Sequence, residues 1–200
     1  MLTDEQKTFL MAHQIPLSKV FDATGMSTKE YQRAMKGTNM LVAFGAIPCA
    51  KEGHTLRTKS GHCLPCKPER IAYQKRSVSK GHVYIAGSMK GRYIKIGLSK
   101  NLDDRLYKLN EYAYGGAQDW IMLASAHVEN SGRVETKVQT ELEEFRVEGT
   151  YQRAGKEQKC KELFRCNFEQ ACRLLHQASG GLLTLRSSSI EQTIKNYSFK

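Results

Sequence analysis

The sequence predicts a mixed α/β (α+β) chain, in which a small antiparallel three-stranded sheet flanked by helices follows an N-terminal helical head and a small metal-binding unit. Three observations predict it. Alternating apolar residues mark strands at His82 to Gly87 and Tyr93 to Gly97, joined by the turn-rich GSMKGR loop, and Trp120 to Val128 reads as a longer apolar strand. Leu102, Leu106 and Leu109, then Val134, Val138 and Leu142, recur at helical spacing. Between the head and these strands the composition shifts to Gly, Pro, Lys, Cys and His, a segment too short and polar to fold by burial alone.

A chain of 200 residues can bury one moderate core and a small satellite held by something else. The formal net charge of +11, with both signs mixed along the chain, makes a polyanion the natural partner. No apolar run approaches the roughly 20 residues of a bilayer span, and the start, MLTDEQ, lacks the layout of a signal peptide. The expected address is therefore cytoplasmic, with no membrane partner. The six cysteines should then be reduced, and read better as metal ligands or core thiols than as disulfides.

Residues 1–46 form the helical head. Thr3 with Gln6, and Ser27 with Glu30, have the spacing of a capping box, in which side chains satisfy the free backbone donors of a helix start. Residues 47–80 form the basic metal-binding unit, with eight Lys or Arg against two acids between Cys49 and Lys80. Residues 81–177 hold the sheet and its helices. Asn101 caps the first helix and Asn167 the last, and residues 178–200 read as a tail without motif.

Cys49, His54, Cys63 and Cys66 read C-x4-H-x8-C-x2-C. Two ligand pairs on tight turns, joined by a short arm, are what tetrahedral zinc requires, and thiolate with imidazole favours zinc over harder cations. The site is expected to be structural, because four protein ligands leave no position open. His62 is an alternative to His54, disfavoured because it adjoins Cys63. Cys160, Cys166 and Cys172 lack a paired spacing and are expected in the core.

Strand alternation puts Val83, Ile85, Ile94 and Ile96 on one face, and Tyr84, Tyr93 and Lys95 on the other. The aliphatic face should hide against a helix. The other would then present a phenol and an ammonium beside Gly97, where a substrate could approach closely. Arg105 and Glu135 each flank the apolar stripe of their helix, a costly place for a charge with no task.

The order Val83-Tyr84-Ile85, Lys95-Ile96-Gly97, Arg105-Leu106-Tyr107-Lys108-Leu109-Asn110, Val134-Glu135 and Glu162-Leu163-Phe164 resembles the GIY-YIG nuclease superfamily, in particular its phage-associated branch with a K-I-G second motif. The resemblance covers about residues 82 to 176. It departs from the pattern at Lys95, where many members have tyrosine, and at Gln139, where this branch often has histidine. It implies a metal-dependent endonuclease that hydrolyses DNA phosphodiester bonds. Glu135 would hold one Mg2+ or Mn2+, Arg105 would brace the phosphate, and Tyr84 would serve as general base or relay. Lys95 would lower the phenol's pKa or contact the phosphate, and His82, on the face of Tyr84, is a possible auxiliary.

Arg57, Lys59, Lys67, Arg70, Lys75 and Arg76 are expected to add phosphate contacts from the basic unit. Double-stranded DNA is the expected substrate, and one active site per chain invites a homodimer or sequential nicking. Two other classes stay open: a zinc-containing nucleic-acid-binding module with an inactive nuclease-like domain, and an RNA-cutting toxin or effector.

Overall fold

The computed structural model describes residues 1–186 and 196–199, so part of the expected tail at 178–200 lies outside the described residues. It divides into two compact units, Met1–Val78 and Ser79–Lys200.

In the first unit, helix α1 (Asp4–Ala12) begins at a complete capping box of Thr3 and Gln6, and α2 (Thr28–Met35) at one of Ser27 and Glu30. Leu10 and Ile15 join Leu41, Val42, Leu56, Leu64 and Ile71 in a small core. The head is not purely helical. Strand β1 (Val20–Asp22) runs parallel to β2 (Val42–Phe44), which pairs antiparallel with β3 (Arg57–Thr58). This sheet crosses the expected division between residues 46 and 47, because Val42 and Ala43 of the head find their backbone partners on Thr58 and Arg57. Pieces of two or three residues carry no periodicity, so only long-range pairing makes them strands. Helix α3 (Glu69–Val78) closes the unit, with Ile71 and Gln74 buried.

The second unit is built on a sheet of six strands rather than three. Its centre is the expected set: β4 (Gly81–Ser88) lies between β5 (Tyr93–Ser99) and β6 (Ile121–Val128), antiparallel to both. A hairpin of β7 (Arg146–Arg153) and β8 (Lys156–Phe164) extends it beyond β5, and the short β9 (Thr184–Leu185) beyond β6. The hairpin is rich in charge and largely exposed, so no apolar alternation announces it. Its turn does the registering: Ala154 and Gly155 both take positive φ, 51° and 72°, between the paired Arg153 and Lys156, the backbone of a tight two-residue hairpin.

Helices cover both faces. On the aliphatic face α5 (Ser131–Glu141) and α6 (Phe168–Ala178) bury Val138, Ala171 and Leu175 against Val83, Ile85, Ile94 and Ile96. Tyr197 and Phe199 fill the same core. On the other face α4 (Leu102–Glu111), Tyr114, Trp120 and Leu163 surround Tyr84. Asn110 fixes this cover by exchanging two hydrogen bonds with the Trp120 backbone, at 2.7 and 3.0 Å. Cys160 and Cys166 are buried core thiols, and burial pushes the Cys166 thiol up to about 12. Among the described residues no helix is long and apolar enough to cross a membrane.

Candidate functional site

The metal-ligand cluster forms in the first unit as the spacing implies. Ligand atoms of Cys49, His54, Cys63 and Cys66 all lie within 4.8 Å of one another. His54 Nδ1 stands 3.9, 3.7 and 3.5 Å from the sulfurs of Cys49, Cys63 and Cys66, and the Cys49 and Cys66 sulfurs are 3.9 Å apart. A tetrahedron with Zn–S near 2.3 Å has edges of about 3.5 to 3.8 Å, so the four donors fit that ion. His54 turns Nδ1 to the thiols, and its Nε2 meets Glu52 at 3.5 Å, the outer carboxylate that commonly orients a ligating imidazole. The Glu52 backbone N–H on its sulfur brings the Cys49 thiol down to about 6, whereas Cys63 beside it pushes Cys66 up to about 11. Three thiols this close compete for one negative charge, and a divalent cation removes the competition. Of the two histidines weighed from the sequence, His54 is in the cluster.

Arg57, expected on DNA, is buried. Its guanidinium donates to the carbonyls of His54, Leu56 and Ile47, closing the loop that bears the ligands. Lys59 donates to the Thr38 carbonyl, and Lys75 to that of His13 at 2.6 Å. These three cations hold backbone together. Lys67, Arg70 and Arg76 are the exposed members of the expected set.

In the second unit, Tyr84, Lys95 and Arg105 come together with two residues that spacing did not single out as catalytic, Tyr114 and Glu162. Arg105 Nε donates to the Tyr84 hydroxyl at 2.8 Å. Lys95 pairs with Glu162, and its ammonium lies 3.4 Å from the Tyr114 hydroxyl and 4.4 Å from that ring's centroid. Glu162 reaches Lys95 through a bulge: from Val147↔Leu163 to Gly149↔Cys160, β8 advances three residues while β7 advances two. An extra residue of this kind re-aims side chains, and it explains why Cys160 and Leu163, three apart, face the same core. Alternation alone could not have found Glu162. Its place in Glu-x-Phe was the available signal, and Tyr114 gave none.

The expectation of a face open to substrate is corrected. Tyr84 and Lys95 are both 0% exposed, because α4 and the β7–β8 hairpin cover a face that a three-stranded sheet would have left bare. Gly97 serves this packing. A Cβ there would stand 2.5 Å from the Tyr84 hydroxyl, so the glycine admits the phenol. Burial pulls the Lys95 ammonium down, but the combined attraction of Tyr84, Glu162 and Tyr114 outweighs it and the net shift is upward. Lys95 therefore stays charged, held in place by Glu162.

Glu135 is buried on α5, the helix packed on the aliphatic face. Gln139, one turn on, donates to the Ile96 carbonyl at 3.1 Å and fixes that helix beside Lys95-Ile96-Gly97. Tyr84 and Arg105 are thus directly bonded on one face, Lys95 is ion-paired next to them, and Glu135 is carried by a helix from the other face. Arg105 is half-buried and is the member of the group on the edge of the cover.

Residues 81–179 match the T5orf172 domain. Protein 315L of Invertebrate iridescent virus 6, named for a KilA-N domain, is 29% identical over 84 residues, which are 40% of this chain and 36% of that protein. The chain thus spans little more than a third of that relative. No solved structure matches the chain. The domain match points to a nucleic-acid-binding or nuclease-like function for the unit that carries Tyr84, Arg105 and Glu135.

Proposed function

We propose that residues 81–179 form a GIY-YIG-type endonuclease that hydrolyses DNA phosphodiester bonds with the help of Mg2+ or Mn2+. The observation that carries this reading is the 2.8 Å bond from Arg105 Nε to the Tyr84 hydroxyl, beside a buried, charged Lys95. To take a proton from water the phenol must first be a phenolate, and a guanidinium donor with a nearby ammonium are the kinds of neighbour that favour a phenolate. Arg105 would brace a phosphate, because a guanidinium fork matches two phosphate oxygens. Lys95 supplies fixed positive potential rather than direct contact.

Glu135 is the carboxylate that would hold the divalent cation. A carboxylate suits a hard ion that keeps waters and a phosphate oxygen as its other ligands. When bound, that ion would supply charge neutralisation at the phosphate. In the other unit Cys49, His54, Cys63 and Cys66 would hold zinc structurally, and Lys67, Arg70 and Arg76 would contact phosphates. Double-stranded DNA is the proposed substrate, cut by a homodimer or by successive nicks.

The test is cleavage of plasmid, linear DNA and RNA by the purified chain, with and without Mg2+ or Mn2+, beside Glu135→Gln and Arg105→Ala. The expected result is divalent-dependent DNA cutting, reduced about 10²-fold or more by either substitution. Cutting that survives both, or that needs no divalent ion, overturns the assignment. Cleavage of RNA alone would favour the effector reading.

A further inference from the structure

The β7–β8 hairpin belongs to the sheet only at its base. β8 pairs with β5 through Leu163 and Phe164, and from Gly149↔Cys160 outward the two strands of the hairpin have only each other among the described residues. The base is well seated. The Tyr151 and Tyr114 rings lie 4.8 Å apart, Cys160 is buried, and a Cβ on Gly149 would stand 3.4 Å from the Gly115 Cα. Past Tyr151 the support ends, for every residue from Gln152 to Lys159 is exposed, whichever face of the ribbon it leaves. A hairpin that widens a domain buries one face, and a hairpin that buries neither is marginal by itself. The arm therefore adds little to the fold.

Its charge is one-sided. From Gly149 to Lys161 it carries Arg153, Lys156, Lys159 and Lys161 against Glu157, and none of these cations is in an ion pair among the described residues. Glu162, at the base, is engaged with Lys95. Arg153 and Lys156 are direct cross-strand partners on either side of the Ala154-Gly155 turn, so two like charges leave the same face side by side. Such a pair destabilises a hairpin. A solvated arm under no other demand would carry an acid at one of those positions, whereas a polyanion beside the pair replaces repulsion by attraction.

We infer that the β7–β8 hairpin enters the major groove of a DNA duplex tip first, with Arg153 and Lys156 on the phosphates of one wall and Lys159 on those of the other. The inference rests on the nuclease reading and deepens it by naming how the substrate is held. The major groove, about 12 Å wide and about 8.5 Å deep, admits a two-stranded ribbon. The paired stretch from Gly149 to Arg153 is about 13 Å long, enough to reach the groove floor. Thr150 pairs with Lys159, one position along from the next face, so Lys159 leaves the side opposite to Arg153 and Lys156. The ribbon thus offers a cation to each wall. Its place also suits the candidate site. The Arg153 guanidinium lies 5.9 Å from the ring of Tyr112, the residue that ends α4, and Arg105 lies earlier on that helix, about 10 Å along its axis. The wall met by Arg153 and Lys156 is therefore on the α4 side, and its strand runs toward Arg105. The deep, narrow major groove of A-form RNA excludes such an arm.

The experiment uses the full chain, Arg153→Gln with Lys156→Gln, and Lys156→Glu alone. Binding to a synthetic DNA duplex is followed by fluorescence anisotropy through a salt series without divalent ion, cutting of the same duplex with Mg2+, and thermal unfolding without DNA. Expected for the double substitution is a salt slope shallower by about 1.8, which is two phosphate contacts at about 0.9 each. KM for DNA should rise about 10-fold or more while kcat changes little, the mark of lost binding rather than lost chemistry. Lys156→Glu, which makes the cross-strand pair one of opposite charge, should raise the melting temperature of the second unit and still weaken binding. Glucosyl groups on the cytosine 5-position fill the major groove and should erase the difference between wild type and double variant, whereas a minor-groove ligand should leave it. Wild-type binding and salt slope in the double variant overturn the proposal, as does a difference that survives filling of the major groove or appears equally on duplex RNA. A chain whose binding depends on the arm but that cuts no nucleic acid overturns the nuclease reading instead, so the two failures are distinguishable.

Discussion

Arg57 and Arg105 are both arginines set beside apolar residues, and they do different things. In the first unit Arg57 is buried among carbonyls and ties the ligand-bearing loop together. In the second, Arg105 bonds a tyrosine hydroxyl with its Nε. The contrast holds for the units as wholes. The first has a small core and short strands, so its cations and its cysteines hold the backbone. The second has apolar layers on both faces of a six-stranded sheet, so its charges need not hold the fold and can face one another. A charge beside an apolar stripe therefore signals function only where the core is sufficient without it.

The largest effect expected from this contrast is metal removal. Chelation, or Cys63→Ser, should unfold Met1–Val78 and leave the sheet of the second unit protected, as read by hydrogen exchange region by region. Structural zinc contributes about 10–16 kcal/mol in small peptides, more than so small a core can replace. Metal analysis of the intact chain should find about one zinc per molecule, and equal protection of the first unit with and without chelator would break the comparison.

Next comes Lys95→Ala, which removes one partner of a buried ion pair and should cost about 3–5 kcal/mol in urea unfolding of the second unit. Lys95→Met should cost clearly less while still abolishing the positive potential at Tyr84. Equal stability losses would mean that the ammonium is needed for the fold rather than for the phenol. Gly97→Ala puts a methyl group where the Tyr84 hydroxyl lies and should cost about 1–3 kcal/mol with loss of cutting.

Smaller is the pH dependence contributed by His82. Burial first, then the positive potential of His127 and Arg186, keeps its folded pKa below the unfolded value of 6.5, so the unfolded chain binds the extra proton first. Its contribution to stability is present above 6.5 and is lost as pH falls from there through the folded value. His82→Gln should remove that acid-side loss from the thermal unfolding profile. The smallest effect belongs to the exposed cations: Lys67→Ala with Arg70→Ala should lower the salt dependence of DNA binding by about 0.9 per phosphate contact removed, without changing sequence preference. Arg57→Ala should instead lower the stability of the first unit.

The legible parts of the fold were those whose signal is local. The two capping boxes, the β4–β5 hairpin and the Asn-capped α4 and α6 follow from neighbouring residues. The illegible parts depend on distant partners. The short strands β1 to β3 have too few residues for a period, and the polar β7–β8 hairpin hides its pairing because its faces are mostly solvated. The same division runs through the candidate sites. C-x4-H-x8-C-x2-C named four ligands because turns of that length bring donors together, whereas the Lys95–Glu162 pair spans 67 positions and depends on a bulge.

By itself the sequence determined the ligand cluster, the alternation that separates Val83 and Ile85 from Tyr84, and the candidate set of Tyr84, Lys95, Arg105 and Glu135. Only the tertiary structure decided that Lys95 is enclosed, that Arg57 supports a loop, and that His82 stacks on His127. Spacing along a chain fixes which face a side chain leaves, but what covers that face is set by strands and helices that arrive from elsewhere.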